Sequence, residues 1–126
     1  MGKFMVKKGE NGYFFNLVAD NHEVIAASQL YSTREACLKG VNSVSDNASD
    51  AGIEDQTLKH YEKKGNPKFE VFTDETGEFR FNLKAGNGKI IASSSGYKSK
   101  SGCMNGIRSV KDNTFWSEVE EKKEEK

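Results

Sequence analysis

The line NLVADNHEVIAAS, Asn16 to Ser28, returns 66 residues later as NLKAGNGKIIASS, Asn82 to Ser94. Within a chain of 126 residues this constrains the fold more than any composition figure. Whatever one copy folds into, the other folds into as well, and a repeated unit buries its apolar face against its neighbour. The same offset aligns Leu17 with Leu83, Tyr31 with Tyr97, Cys37 with Cys103, Gly40 with Gly106, and Asp46-Asn47 with Asp112-Asn113. Lys3-Phe4 matches Lys68-Phe69 at one residue less. One residue is therefore inserted in the second copy, and the turn Thr73–Gly77 is the place for it, since turns absorb insertions.

Each copy reads as strand, strand, strand, helix. Phe4 and Val6 alternate along Lys3–Lys7, and Gly9-Glu10-Asn11-Gly12 is turn chemistry. Tyr13, Phe15, Leu17 and Ala19 alternate with period two, as do Phe79, Phe81, Leu83 and Ala85, which marks half-buried strands. Asp20-Asn21-His22 and Gly86-Asn87-Gly88 are tight turns leading into third strands at Glu23–Ala27 and Lys89–Ser93. Short loops imply antiparallel pairing. The helices follow, with apolar stripes Cys37, Val41, Val44 and Cys103, Ile107, Val110. Ser32-Thr33-Arg34-Glu35 fits a capping box in which Ser32 caps and Glu35 reaches back; in the second copy the cap is Ser99 and Gly102 stands where the glutamate would be. Gly40 and Gly106 lie on the buried stripes, where glycine costs a helix about 1 kcal/mol against alanine. That points to a close backbone approach, where the helix crosses the sheet or the other helix.

One three-stranded sheet with one helix is marginal alone. The expected architecture is therefore α+β: a tandem duplication of a β-β-β-α unit, with antiparallel sheets, one helix per repeat and a pseudo-twofold axis. The first repeat spans residues 1–48, a linker 49–67, the second repeat 68–114 and a charged tail 115–126, with both repeats in one domain. Asp55–Lys63 reads as a short helical stretch, and Glu118–Lys126 as a frayed helix or disordered run.

Nineteen basic and nineteen acidic residues cancel, which disfavours a mainly electrostatic nucleic-acid binder. No apolar run is long enough to span a membrane, the first residues lack a signal-peptide core, and Val6 sits where a myristoylation motif needs Ser or Thr. With two cysteines and no export signal, the reading is a cytoplasmic protein.

NLVADNHEVIAASQLYSTREACLKGVNSVSDNA and FRFNLKAGNGKIIASSSGYKSKSGCMNGIRSVKDN resemble the YegP-like family of uncharacterised bacterial proteins, in its duplicated two-repeat form. The shared pattern is an aromatic-x-aromatic-x-Leu strand, an N-G-x-I-I-A-x-S strand, a G-Y-x-S-K turn and a G-I-x-S-V-K-x-N helix. The second copy fits throughout, whereas the first has His22 for the turn glycine, Leu30 for Gly96 and Thr33-Arg34 for Ser99-Lys100. The resemblance implies β-β-β-α units and no activity, so it carries no functional residues over.

The residues themselves offer few sites. Cys37 and Cys103 are equivalent by the repeat and read either as a redox pair across the axis or as small core residues. There is no C-x-x-C, and His22 and His60 fall in a turn and the linker, so neither a metal site nor a base for a thiolate is expected. No catalytic residue, metal or cofactor is assigned. GYKSKSG, Gly96–Gly102, could hold an anion at a helix start through Lys98, Ser99 and Lys100, although it is not a P-loop. Arg80 and Lys84 face away from the Phe79/Phe81 side of their strand, and their first-copy equivalents are Phe14 and Val18. Phe14 and Val18 are thus a candidate surface for an unidentified protein partner, unless the linker (Ile53, Leu58, Tyr61) or Phe115-Trp116 covers them. The expected function is a non-enzymatic binding or interaction module, a monomeric pseudo-dimer or a homodimer. The alternative is a weak nucleic-acid or anionic-ligand binder working through Lys98–Lys100.

Overall fold

A computed structural model describes residues 2–19, 21–114 and 118–122. The chain runs β1 (Lys3–Gly9), β2 (Gly12–Val18), β3 (Val24–Ala27), α1 (Arg34–Ala48) and β4 (Gly52–Asp55). The same order follows as β5 (Lys68–Thr73), β6 (Phe79–Lys84), β7 (Ile90–Ser93), α2 (Lys100–Thr114) and β8 (Glu118–Lys122). All eight strands form one sheet in the order β4-β5-β6-β7-β3-β2-β1-β8. The expected antiparallel hairpins are present, but they merge into a single mixed sheet rather than separate antiparallel ones. β3 and β7 meet through the antiparallel pair Ala27↔Ser93. These two residues are equivalents in the sequence repeat.

β4 and β8 are corrections to the expected linker and tail. β4 lies parallel to β5, and β8 parallel to β1. Each follows the helix of one half and pairs with the first strand of the other half, so the halves exchange edge strands. Asp55–Lys63 is the end of β4 followed by turns, not a helix. Strands of four or five residues with no clean alternation leave too little period to read. Phe115 and Trp116 lie outside the described residues.

Both helices contact each other and one face of the sheet. α1 reaches β6 and β7, and α2 reaches β2 and β3, so each crosses onto the other half. The core between the layers holds Phe4, Val6, Phe15, Leu17, Phe69, Val71, Phe81 and Leu83 with Cys37, Val41, Val44, Cys103, Ile107 and Val110. A register shift at Leu17/Val18 opposes Leu17 to Ala26 and Val18 to Val24, leaving Ile25 as an extra residue; the second half repeats this with Ile91. Such a bulge turns two consecutive side chains toward one face. Ile25-Ala26 and Ile91-Ala92 all join the core as a result.

Two devices recur in both halves. The Ser28 Oγ accepts from the Phe15 N–H (2.9 Å) and donates to the Gln29 carbonyl (2.8 Å), and Ser94 does the same with Phe81 and Ser95. Tyr31 stacks on Phe15 and Tyr97 on Phe81, with ring centroids 6.3 and 6.4 Å apart. Each tyrosine ring also lies over its helical glycine: a Cβ on Gly40 or Gly106 would stand 2.8 Å from the Tyr31 or Tyr97 Cζ, and closer still to the hydroxyl. The glycines therefore answer to a loop tyrosine, rather than to a sheet or helix backbone as expected. The helix caps are Thr33, extended at φ −131 and accepting from the Ala36 N–H, and Ser99, accepting from the Gly102 N–H. Thr33 takes the place expected of Ser32, so Glu35 falls one residue short of the capping-box position.

Candidate functional site

Among the described residues both helices cover one face and none covers the other, and strand alternation fixes which side chains that other face displays. Opposite the core positions lie Lys3, Met5 and Lys7 on β1, Phe14, Asn16 and Val18 on β2, Arg80, Asn82 and Lys84 on β6, and Lys68, Glu70 and Phe72 on β5. At the centre, Val24 and Ile90 are 50% and 43% exposed. They flank a groove of about 450 Å³ lined also by Ala26, Ala27, Ala92 and Ser93, and by serines and Gln29. Every lining residue on β3 and beyond has its sequence-repeat equivalent on the other wall.

Phe14 and Val18 do share this open face with Arg80 and Lys84, as their alternation indicates. Phe14 is half-buried beside Lys7, its direct cross-strand partner. Val18 is only 8% exposed, so it forms the floor of the surface more than a contact. Phe72 was not singled out from the sequence, though the alternation that turns Phe69 and Val71 inward turns it outward. It is half-buried and directly opposite Arg80.

The charges of the second half are largely matched by acids. Arg80 Nε donates to Asp74 Oδ2 at 2.6 Å, Lys84 Nζ stands 3.1 Å from Glu70 Oε2, and Lys68 Nζ donates to Glu54 Oε1 at 2.9 Å. Glu54 is 1% exposed and Lys68 5%. The main-chain N–H of Lys64 and the Gln56 amide also donate to Glu54, at 2.7 and 2.6 Å, so the segment after β4 folds over this pair. Burial alone would raise the Glu54 carboxyl; the hydrogen bonds from Gln56, Lys68 and Lys64 outweigh it and hold it down at about 2. Hydrogen bonds from Thr76 and Arg80 hold Asp74 well below the usual carboxylate range.

The Lys98-Ser99-Lys100 stretch does not converge on an open site. Lys98 and Ser99 are exposed, Ser99 caps its own helix, and Lys100 Nζ donates to Asp55 Oδ2 at 2.6 Å. For Asp55, burial is outweighed by the Lys100 and Thr57 hydrogen bonds, so its carboxyl stays below its ordinary value. Cys37 and Cys103 are both fully buried and no disulfide joins them. Burial, with Asp55 nearby, pushes the Cys103 thiol up to about 11, so it stays protonated and unreactive at neutral pH. His22 and His60 are exposed, His22 in a left-handed turn at φ 68. Among the described residues no group of three or more His, Cys, Asp or Glu side chains could hold a metal ion, and no helix is long and apolar enough to cross a membrane.

Fold and surface together define a two-layer α+β protein with a bare sheet face. The family described as "Domain of unknown function (DUF1508)" matches twice, at residues 10–55 and 74–121, and the chain belongs to that family. The chain is 37% identical over 114 residues to the UPF0339 protein YegP of Yersinia pestis, covering 90% of this chain and 88% of that one. A UPF0339 protein encoded in the 5′ region of the ptx operon of Stutzerimonas stutzeri is 62% identical over 45 residues; that match spans 36% of this chain and only 40% of the relative's length. Among solved structures, the solution NMR structure of yegP from E. coli, a protein of unknown function, is similar at a TM-score of 0.76 and 32% identity, covering 95% of this chain and 91% of the other.

Proposed function

We propose that this chain is a non-enzymatic binding module that works in the cytoplasm through the open face of its sheet. We further propose that it is a tandem duplication of a β-β-β-α unit, with repeats at 1–48 and 68–114, a connection at 49–67 and a tail at 115–126, folding as one domain. The observation that carries the functional reading is the one-sided layering. Eight strands present one face to the helices and leave the other with Val24, Ile90, Phe14 and Phe72 partly in solvent. An exposed apolar surface rimmed by polar groups marks interaction sites. The reactive side chains support the same reading, because the thiols are core residues and the histidines sit apart on turns. The Lys98–Lys100 alternative is weakened by the ion pair that engages Lys100.

The test is affinity capture from a lysate with three proteins: the natural chain, a Val24→Glu/Ile90→Glu variant of the open face, and an Arg108→Glu variant on the exposed side of α2. A salt-resistant partner retained by the first and third and lost by the second supports the reading. Loss on the helix side, or retention by the open-face variant, sinks it.

A further inference from the structure

The open face holds two cross-strand pairs of an aromatic and a cation: Lys7 beside Phe14, and Arg80 beside Phe72. A strict twofold would relate the pairs by a half-turn, with cations both outside or both inside. They are not so placed. The position equivalent to Phe14 is Arg80, and the position equivalent to Lys7 is Phe72. With the sheet order β5-β6-β7-β3-β2-β1, an oblique line from β1 to β5 meets Lys7, Phe14, Arg80 and Phe72, because Phe14 and Arg80 lie on opposite sides of the row Asn16, Ala27, Ser93, Asn82. The sequence is cation, aromatic, cation, aromatic: a head-to-tail repeat. Four strand spacings of about 4.8 Å across the sheet and four residues of about 3.3 Å along it separate the two pairs, roughly 23 Å in all. Between them the face offers the amides of Asn16 and Asn82 and the central groove.

The alternation of cation and aromatic across the face matches a linear polymer that alternates charged and flat aromatic units. We infer that the open face binds single-stranded nucleic acid, with bases stacking on Phe14 and Phe72 and phosphates meeting Lys7 and Arg80. Aromatic platforms on an open sheet suit unpaired bases, whose faces are available, and cations beside them suit the backbone. Arg80 Nε donates to Asp74 and Nη1 to the Ser94 carbonyl at 3.5 Å, yet its side chain is 41% exposed, which leaves the remaining guanidinium N–H groups for a phosphate. Charge balance elsewhere on the chain means that stacking, rather than counterion release, supplies most of the affinity. This inference rests on the open face being the binding surface.

The experiment is fluorescence anisotropy of fluorescein-labelled oligo(dT) and oligo(U), each about 15 nucleotides, with the full chain over a salt series; a duplex of equal length is the comparison. Tighter binding of the single strands is expected. With two phosphates neutralised, log K should fall against log salt with a slope of about −1.4. Phe14→Ala and Phe72→Ala should each weaken binding by roughly 5- to 150-fold. Phe14→Leu, which keeps the bulk and loses the ring, should weaken it as well, so that the result does not depend on an alanine variant staying folded. Arg108→Gln on α2 should change nothing. Absence of single-strand binding at low salt, equal affinity for the duplex, or binding indifferent to both phenylalanines would overturn the assignment. If the oligonucleotides fail while Val24→Glu/Ile90→Glu still releases a protein partner, the nucleic-acid assignment falls and the binding-module reading stands.

Discussion

Gly40 and Gly106 sit on the buried stripes of their helices because a tyrosine ring fills the space that a methyl group would need. Alanine is the better helix former by about 1 kcal/mol, yet overpacking a filled core costs about 1–3 kcal/mol. Gly106→Ala should therefore lower stability by up to about 2 kcal/mol in urea denaturation. Tyr97→Phe in the same chain should recover part of that, since the hydroxyl is the nearest atom and the ring remains. If Gly106→Ala stabilises the protein, the close approach is not what selects glycine. His22 is the opposite case. It occupies at φ 68 the turn position that Gly88 holds at φ 85, and both make the same turn hydrogen bond, to Ala19 and Ala85 respectively. A side chain in that region costs about 1–2 kcal/mol, so His22→Gly should raise the urea midpoint by about 1 kcal/mol of stability. The turn and the special glycines were legible in the sequence. The reason for the helical glycines was not, because Tyr31 lies nine residues before Gly40 and meets it only through the fold.

At the scale of elements, a buried carboxylate helps to hold β4 in place. Glu54 ties β4 to Lys68 on β5 and to the main chain of Lys64. Removing one partner of a buried pair leaves an uncompensated charge, at about 3–5 kcal/mol, so Glu54→Gln should cost about 3 kcal/mol at neutral pH. The folded-state carboxyl lies at about 2 against an ordinary 4.5. A depressed pKa gives stability that is present above the ordinary value and is lost as pH falls from about 4.5 toward 2. Lys68 is shifted the other way, raised above 10.5 chiefly by its hydrogen bond to Glu54, so its share is present below 10.5 and is lost only in strong alkali. Urea midpoints of the natural chain should fall across the acid window more steeply than those of Glu54→Gln. Parallel curves would remove Glu54 from this role. β1, β2, β5, β6 and both helices were legible because their periods run over several residues, and the short β3 and β7 because each follows a turn and repeats the other's sequence. β4 and β8 were not, and neither was the Glu54–Lys68 pair, since nothing local tells a buried glutamate in a polar stretch from a solvated one. On the candidate surface, alternation alone placed Phe14 with Arg80. It could have placed Phe72 as well, whereas the groove at Val24 and Ile90 required the meeting of β3 and β7.

For the whole molecule, the crossing of both helices and the exchange of β4 and β8 bind the halves into one unit. A core truncation in one half should therefore be felt equally in the other. Leu83→Ala, at a fully buried position, should cost about 2–5 kcal/mol. In hydrogen exchange it should lower the protection of the Phe15 and Leu17 amides as much as that of Phe81. Persistent protection of the first half would show two independent folding units instead. The exchange has a further consequence for how such chains can grow. In a stacked array each repeat hands its surface to the next, and the number of repeats is open. Here each half gives its last strand to the first strand of the other, and both gifts are returned within the pair. The plan closes at two. A third copy appended to this chain would find β1 and β5 already paired on both sides, and its own last strand would have to displace β4 or β8 to be received in the same way.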